Sequence, residues 1–249
     1  MEYDRIVDIK RLNFIVDVLK SRLPAGAEVL DVGCGNGIIA RNLGEIGYRV
    51  KAIDISEKAI ARAKELNRFP NVSFEVTSAE QLAADGQLYH AVICSEVLEH
   101  LKEPSQLLQV LHKTLHDKGI LIVTVPNGKG PRELFVTRPV IALQKKDNWL
   151  WKLVVKIKRG LGFNGTTAQS AADDLMHVQF FTKSSLTQLA AANHFRIVKF
   201  CKTNFIEDVF PFSIVTRKIK ALQKLDCYVA EKLPYQFTGG FLTMWEKAI

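Results

Sequence analysis

Val29-Leu30-Asp31-Val32-Gly33-Cys34-Gly35-Asn36-Gly37, followed by Val50-Lys51-Ala52-Ile53-Asp54, decides the fold. The run from Glu28 to Val32 reads as a buried strand, and glycines at 33, 35 and 37 let the backbone turn sharply and approach a ligand without Cβ clashes. The pattern then predicts a helix from Asn36 to about Gly47. Asp54 ends a second strand 17 residues beyond Gly37, where a carboxylate accepts hydrogen bonds from both ribose hydroxyls and excludes a 2′-phosphate. With Asn at 36 and Ile at 38 the spacing is G-x-G-x-G, not the G-x-G-x-x-G that seats a pyrophosphate on a helix N-terminus. The site therefore suits a nucleoside cofactor without a pyrophosphate. A tight strand-to-helix turn with no ligand is the plain alternative, and the acid at position 54 argues against it.

Working outward, apolar periodicity and turn residues predict strand 28–33, helix 37–47, strand 49–54, helix 56–67, strand 72–77, strand 89–95, helix 104–116 and strand 119–125. Such alternation builds an α/β fold with a doubly wound, mostly parallel sheet. Pro104 suits a first helical turn and Gly119 a left-handed helix stop. After Pro126-Asn127 the regularity lapses for about fifty residues, until Thr182 opens a helix and Phe195 to Cys201 form a strand. A second insertion runs from about Thr203 to Gln236, and Phe241-Leu242-Thr243-Met244-Trp245 reads as the last strand. The expected organisation is a single domain over 1–249, with 127–181 and 203–236 as helical insertions that cap the acceptor.

The 249 residues, 47% of them apolar, suffice for one large core and exclude disordered or fibrous classes. Four cysteines, at 34, 94, 201 and 227, form no C-x-x-C pair, which fits a reduced, cytoplasmic home; Cys34 and Cys94 read as small packing residues. The segment Met1 to Leu23 reads as an amphipathic helix on Ile6, Ile9, Val16, Leu19 and Leu23 rather than as a signal peptide. The longest apolar run, Ile120 to Val125, falls far short of the roughly eighteen residues that cross a bilayer.

On Leu30-Asp31-Val32-Gly33-Cys34-Gly35-Asn36-Gly37 and Asp54, the chain resembles the class I, seven-stranded S-adenosylmethionine-dependent methyltransferases over roughly residues 25–126. The resemblance implies that S-adenosyl-L-methionine is the cofactor and that the glycine turn, with Asp31, Gly33, Cys34, Gly35, Asn36 and Gly37, holds the methionine moiety. It also implies that Asp54 holds the ribose and that Ile55 borders the adenine. Ser78, Ala79, Glu80 and Ser95 complete the expected cofactor contacts. Two positions depart from the family: Ser78 stands where an aspartate often meets the adenine amine, and His90 where an aspartate usually opens the fourth strand. In this family the last strand is antiparallel and inserted between its neighbours.

The second informative stretch is Ser95-Glu96-Val97-Leu98-Glu99-His100-Leu101. On a helical turn Glu96, Glu99 and His100 share one face at the carboxyl edge of the sheet, where open α/β sheets transform their ligands. Methyl transfer from a sulfonium is an in-line displacement, so an oxygen nucleophile must lose its proton, and His100 is the candidate base. The same groups are candidate ligands for a divalent cation such as Mg, which lowers a hydroxyl's pKa. This Glu-x-x-Glu-His pattern resembles the ubiquinone-biosynthesis O-methyltransferases and the small-RNA 2′-O-methyltransferases, whose matching residues are associated with a divalent metal. That resemblance implies Glu96, Glu99, His100 and His177 as a ligand set. Local backbone capping by Glu99 and His100 is the alternative. Ser95-Glu96-Val97-Leu98 lacks the Asn/Asp-Pro-Pro-aromatic turn of DNA amine methyltransferases, which excludes that chemistry.

Basic residues set the candidate partners. Residues 131–165 carry Arg132, Arg138, Lys145, Lys146, Lys152, Lys156, Lys158 and Arg159 among Trp149, Leu150, Trp151, Leu153, Val154 and Val155. Ile214 to Leu233 places Val215, Ile219, Leu222, Leu225 and Val229 at helical spacing with Arg217, Lys218, Lys220 and Lys224. Both suit peripheral contact with an anionic membrane, and both suit ordinary cap helices with solvated lysines and Trp149 and Trp151 in a core. A net charge of +8 attracts any polyanion, yet no RNA-binding module is recognisable, which argues against a nucleic-acid partner. The leading expectation is O-methylation of a small or lipid-linked acceptor such as a quinone precursor, in the cytoplasm or at the inner membrane surface. A metal-free saccharide or glycolipid O-methyltransferase, an RNA 2′-O-methyltransferase and a non-catalytic cofactor-binding scaffold follow in that order.

Overall fold

The computed structural model describes residues 3–83, 86–137, 177–209 and 211–248. The basic, Trp-containing stretch around Trp149 and Trp151 lies outside the described residues. The strands are β1 (Glu28–Val32), β2 (Arg49–Asp54), β3 (Val72–Val76), β4 (Tyr89–Ser95), β5 (Leu115–Pro126), β6 (Phe195–Lys202) and β7 (Gly240–Lys247). They form a 7-stranded sheet in the order β3-β2-β1-β4-β5-β7-β6. Strands β1 to β5 pair in parallel, whereas β7 runs antiparallel to both β5 and β6, as the family pattern implied.

The continuous apolar character of the central strands follows from burial on both faces. Side chains alternate across a strand, so Val29, Ala91, Ile93, Ile120 and Ile122 pack into one core layer. Leu30, Val32, Val92, Cys94, Leu121 and Val123 pack into the other. The first layer is roofed by α1 (Ile6–Arg22), α2 (Ile38–Glu45) and α3 (Glu57–Leu66), and the second by α4 (Ala79–Ala83), α5 (Pro104–Thr114) and α6 (Lys183–Ala192). All four cysteines are free thiols, and Cys34 and Cys94 are buried packing residues as expected.

Several boundaries differ from the sequence reading. Helix α5 ends at Thr114, because Leu115 turns extended, buries itself and pairs with Tyr89, so that Gly119 lies inside β5 without a left-handed φ. Burial of the Leu115 side chain against the sheet outweighs another turn of helix. Helix α4 carries no periodic signal at its length; it forms because the Ser78 hydroxyl accepts from Gln81 N at 3.3 Å and Leu82 is buried. In α1 the buried stripe is Val7, Leu12, Ile15, Val18 and Leu19, which leaves Ile6, Ile9 and Val16 only half-buried.

The segment 214–233 is two helices, α7 (Phe212–Thr216) and α8 (Lys220–Lys232), not one amphipathic unit. The inward face of α8 is Gln223, Asp226, Cys227 and Ala230, because polar partners on the adjoining chain reward burying those groups. The Gln223 side chain accepts from Ile6 N at 2.9 Å, and the Asp226 carboxylate accepts from Phe205 N and Ile206 N at 2.7 and 2.9 Å. Val215, Ile219 and Leu225 face outward instead. Among the described residues, no helix is long and apolar enough to cross a membrane.

Candidate active site

Parallel pairing brings the carboxyl ends of β1, β2, β4 and β5 to one edge, with Val32 beside both Ile53 and Cys94, and Ser95 beside Thr124. The strand order reverses between β1 and β4, where a crevice opens in this topology. Residues 33–37, 54–56, 95–100 and 127–133 therefore emerge next to one another.

The glycine turn is held by its own backbone. Gly33 N and Cys34 N donate to Ile53 O at 2.9 and 3.0 Å, and Gly37 N donates to Cys34 O at 2.9 Å. Gly33, Gly35 and Gly37 all take positive φ. Gly33 also has no room for a side chain: a Cβ there would lie 2.5 Å from Cγ2 of Val97. The Asp54 carboxylate closes the loop, accepting from Gly35 N through Oδ2 and from Ser56 N through Oδ1, each at 2.9 Å. Each carboxylate oxygen keeps a second lone pair for a further donor. Ile55 projects from this edge 79% exposed, an apolar surface of the kind a purine ring covers.

Asp31 is buried, and its Oδ2 has no hydrogen-bond partner among the described residues. Burial, and secondarily the charge of Asp54, pushes its carboxyl up to about 8. Ser78 is a helix cap, Ala79 is buried in the core and Glu80 is exposed. Ser95 is buried, its hydroxyl 2.9 Å from Thr124 Oγ1.

The second region departs from the expected shared helical face. Glu96 takes φ 58°, outside any helix, and the following 3-10 turn covers only Leu98–His100. Glu96 is occupied elsewhere: Oε1 accepts from Thr124 Oγ1 at 2.9 Å and Oε2 lies 3.5 Å from the Arg11 guanidinium. Left-handed backbone at a non-glycine residue costs on the order of 1–3 kcal/mol and marks a constrained position. Glu96 is thus a link between α1 and the sheet edge, and it does not join the candidate ligand cluster.

Glu99, His100 and His177 do come together, with one ligand atom of each within 4.8 Å of the others. The Glu99 carbonyl makes this juxtaposition, accepting from Val178 N at 2.8 Å and Gln179 N at 2.9 Å, so the chain beyond His177 is sewn to the 3-10 turn. The His100 and His177 rings meet edge to face, their centroids 5.2 Å apart. Burial, followed by the charge of Glu96, pushes the Glu99 carboxyl well above its usual range. Glu99 Oε2 has no hydrogen-bond partner among the described residues.

Two participants carry no motif in the sequence, Arg11 and Glu133. Arg11 sits buried on α1 between Asp8 and Glu96. A buried arginine on an otherwise apolar helix stripe was the available signal. Glu133 is fully buried beside His177, Oε1 to Nδ1 3.5 Å. The donor set of the cluster, carboxylates and imidazoles with unpartnered buried atoms, fits a divalent cation.

A methyltransferase-domain family model matches residues 5–199. A ubiquinone biosynthesis O-methyltransferase of Rickettsia bellii is 39% identical over 123 residues, 47% of this chain and 50% of that protein. One from Xanthomonas axonopodis pv. citri is 35% identical over 116 residues, 45% of this chain and 48% of that protein. The chain thus spans about half the length of the curated relatives it matches. Magnesium protoporphyrin IX methyltransferase from Synechocystis PCC 6803, solved with bound SAH, superposes with a TM-score of 0.55 at 19% identity, covering 98% of this chain and 84% of that one. At that identity the likeness concerns the fold alone.

Proposed function

The chain belongs to the methyltransferase-domain family, and from that membership we propose that it moves a methyl group from S-adenosyl-L-methionine to an oxygen of a small or lipid-linked acceptor, a quinone precursor first. One observation supports the reading: the glycine turn touches the Glu96–His100 segment through Gly33 and Val97, and Glu99, His100 and His177 gather in that same region. The names of the curated relatives support a quinone precursor.

In the proposed chemistry the acceptor hydroxyl gives its proton to a ring nitrogen of His100, and its oxygen attacks the sulfonium methyl in line. The carbon–sulfur bond breaks, leaving a methyl ether and S-adenosylhomocysteine. Asp54 takes the ribose hydroxyls on its remaining lone pairs, and Ile55 covers the adenine. As the alternative use of the same groups, Glu99, His100 and His177 would hold a divalent cation such as Mg, His100 then giving its lone pair to the ion in place of the proton; two imidazoles in the set also suit Mn. When bound, such a cation lowers the pKa of the acceptor hydroxyl.

The whole chain, 1–249, is read as one domain in which 127–181 and 203–236 cap the acceptor. Peripheral contact with the cytoplasmic face of an anionic membrane is supported by α7 and α8. Phe212, Val215, Ile219, Leu225 and Tyr228 are exposed there beside Arg217, Lys218, Lys220 and Lys224. Flotation with anionic vesicles and none with neutral ones is the expected result; equal behaviour with both removes that part.

The test of activity is methyl-labelled S-adenosylmethionine offered with a quinone precursor, saccharide and RNA fractions, with and without chelator. Chelator-sensitive label in the quinone is the expected result. Chelator-resistant label in saccharide or glycolipid favours the metal-free alternative, label in RNA the third, and cofactor binding without any label the scaffold.

A further inference from the structure

Glu133 follows β5 by a few residues, in a single π-helical turn, Glu133–Thr137. Its side chain is 1% exposed, yet neither carboxylate oxygen has a hydrogen-bond partner among the described residues. A buried carboxylate left in that state is costly unless a ligand or a neighbouring proton uses it. Its neighbour is the His177 ring, whose Nδ1 lies 3.5 Å from Glu133 Oε1 and is itself buried without a hydrogen-bond partner among the described residues.

The backbone builds this pairing deliberately. Asn127 N donates to Gly239 O at 2.9 Å, and the Asn127 amide donates to Tyr235 O and Thr238 O, anchoring the exit from β5. Gly128 N then donates to Phe181 O at 2.6 Å, and a Cβ on Gly128 would lie 2.4 Å from the Phe180 carbonyl carbon. Only glycine permits that approach. The segment carrying Glu133 is thereby pressed against 177–181 from one side, while Glu99 O holds Val178 N and Gln179 N from the other. His177 stands between Glu133 and the Glu99–His100 turn.

We propose that Glu133 is a positioning residue for His177. Its carboxylate accepts the Nδ1–H of the ring and so makes Nε2 the one lone pair His177 offers to a cation shared with Glu99 and His100. A neutral imidazole carries one N–H and one lone pair, and a carboxylate on one nitrogen fixes which is which. Carboxylate partners of metal-binding histidines work this way, and their removal costs roughly 10–100-fold in metal affinity. The inference rests on the cation reading for its ligand, although its first readout needs no cation.

Two-bond proton–nitrogen correlation spectra of the histidine-labelled full chain report the tautomer directly. His177→Gln assigns the signal. The Nδ1–H form is expected in the parent protein, a shift toward the Nε2–H form in Glu133→Ala, and its return in Glu133→Gln, which keeps an acceptor of the same shape. Mn(II) titration followed by electron paramagnetic resonance is expected to weaken about 10–100-fold in Glu133→Ala, with unchanged cofactor affinity as the folding control. An Nε2–H tautomer in the parent protein, or identical spectra in Glu133→Ala, overturns the proposal. Parent protein that binds no Mn(II) overturns the cation reading instead, and the spectra still decide whether Glu133 holds His177.

Discussion

The glycine turn and the Glu99–His177 cluster sit side by side on one sheet edge and are built in opposite ways. In the turn, Gly33, Cys34, Gly35, Gly37 and Ser56 spend their N–H groups on the Ile53 carbonyl, within the loop or on Asp54. In the cluster, Glu99 Oε2, His177 Nδ1 and both oxygens of Glu133 have no hydrogen-bond partner among the described residues. The first region is a backbone turn held rigid by its own hydrogen bonds. The second keeps buried polar capacity in reserve, which is what groups that move protons or hold ions require.

If that division is right, the two regions fail separately, and the largest separable effect belongs to His100. His100→Ala is expected to lower the rate of methyl transfer by about 10²–10⁴, the usual contribution of a positioned acid–base group, with cofactor affinity unchanged. Calorimetry and single-turnover rates measure the two quantities; a parallel loss of affinity would merge the regions into one.

Asp31 is the exception inside the cradle and gives the next test. Its native pKa is raised to about 8 by burial and by Asp54, whereas an unfolded aspartate titrates near its ordinary value of about 3.9. The folded state therefore holds a proton that the unfolded state has lost. Stability from Asp31 is fully present below about pH 4 and is lost as pH rises toward about 8, a change on the order of a few kcal/mol. Glu207, raised to about 7 by burial, adds a slope of the same sign. Asp31→Asn is expected to flatten the alkaline loss, which denaturant titrations at pH 5, 7 and 9 would read. An unchanged slope means Asp31 is ionised in the native protein.

Gly33 is where the regions touch. Gly33→Ala is expected to cost about 2–3 kcal/mol, from positive φ together with the contact with Val97. The double change with Val97→Ala should recover the part due to contact and leave the part due to φ. Full recovery would show that the turn tolerates an ordinary residue.

The same contrast explains what the sequence revealed. Strand β1, the glycines and Asp54 lie within one short stretch whose periodicity and turn chemistry encode the backbone directly, so the parallel α/β sheet and the tight glycine turn are legible in it. The antiparallel β7 was reached through family resemblance rather than pattern. Glu96 misled because three residues at helical spacing suggest a shared face, whereas the link to Arg11 and Thr124 pulls its backbone to positive φ. Glu133 was invisible because its place depends on Gly128 packing against Phe180, a contact between segments about fifty residues apart. The outward face of α8 was misjudged for a similar reason: Gln223 and Asp226 are drawn inward by backbone donors on α1 and the chain after β6.

Asp54 provides the finest discrimination, because the same carboxylate closes the cradle and faces the expected ribose. Asp54→Asn keeps one carbonyl oxygen and turns the other acceptor into a donor, so either Gly35 N or Ser56 N loses its partner while the ribose loses a charge-assisted bond. Cofactor affinity is expected to fall by about 1–2 kcal/mol, roughly 5–30-fold, with melting temperature lowered by only a few degrees. Adenosine, which keeps the ribose, and 2′-deoxyadenosine, which lacks one hydroxyl, separate the two causes when each competes for the site. Loss of discrimination between them in Asp54→Asn assigns the effect to the ribose. Retained discrimination with weaker binding of both assigns it to the loop, and Asp54 would then be a structural clasp. Mn(II) binding at Glu99, His100 and His177 should be untouched in either case, since nothing in the cradle is asked to hold the cation; a change there would show that the two regions share more than the contact between Gly33 and Val97.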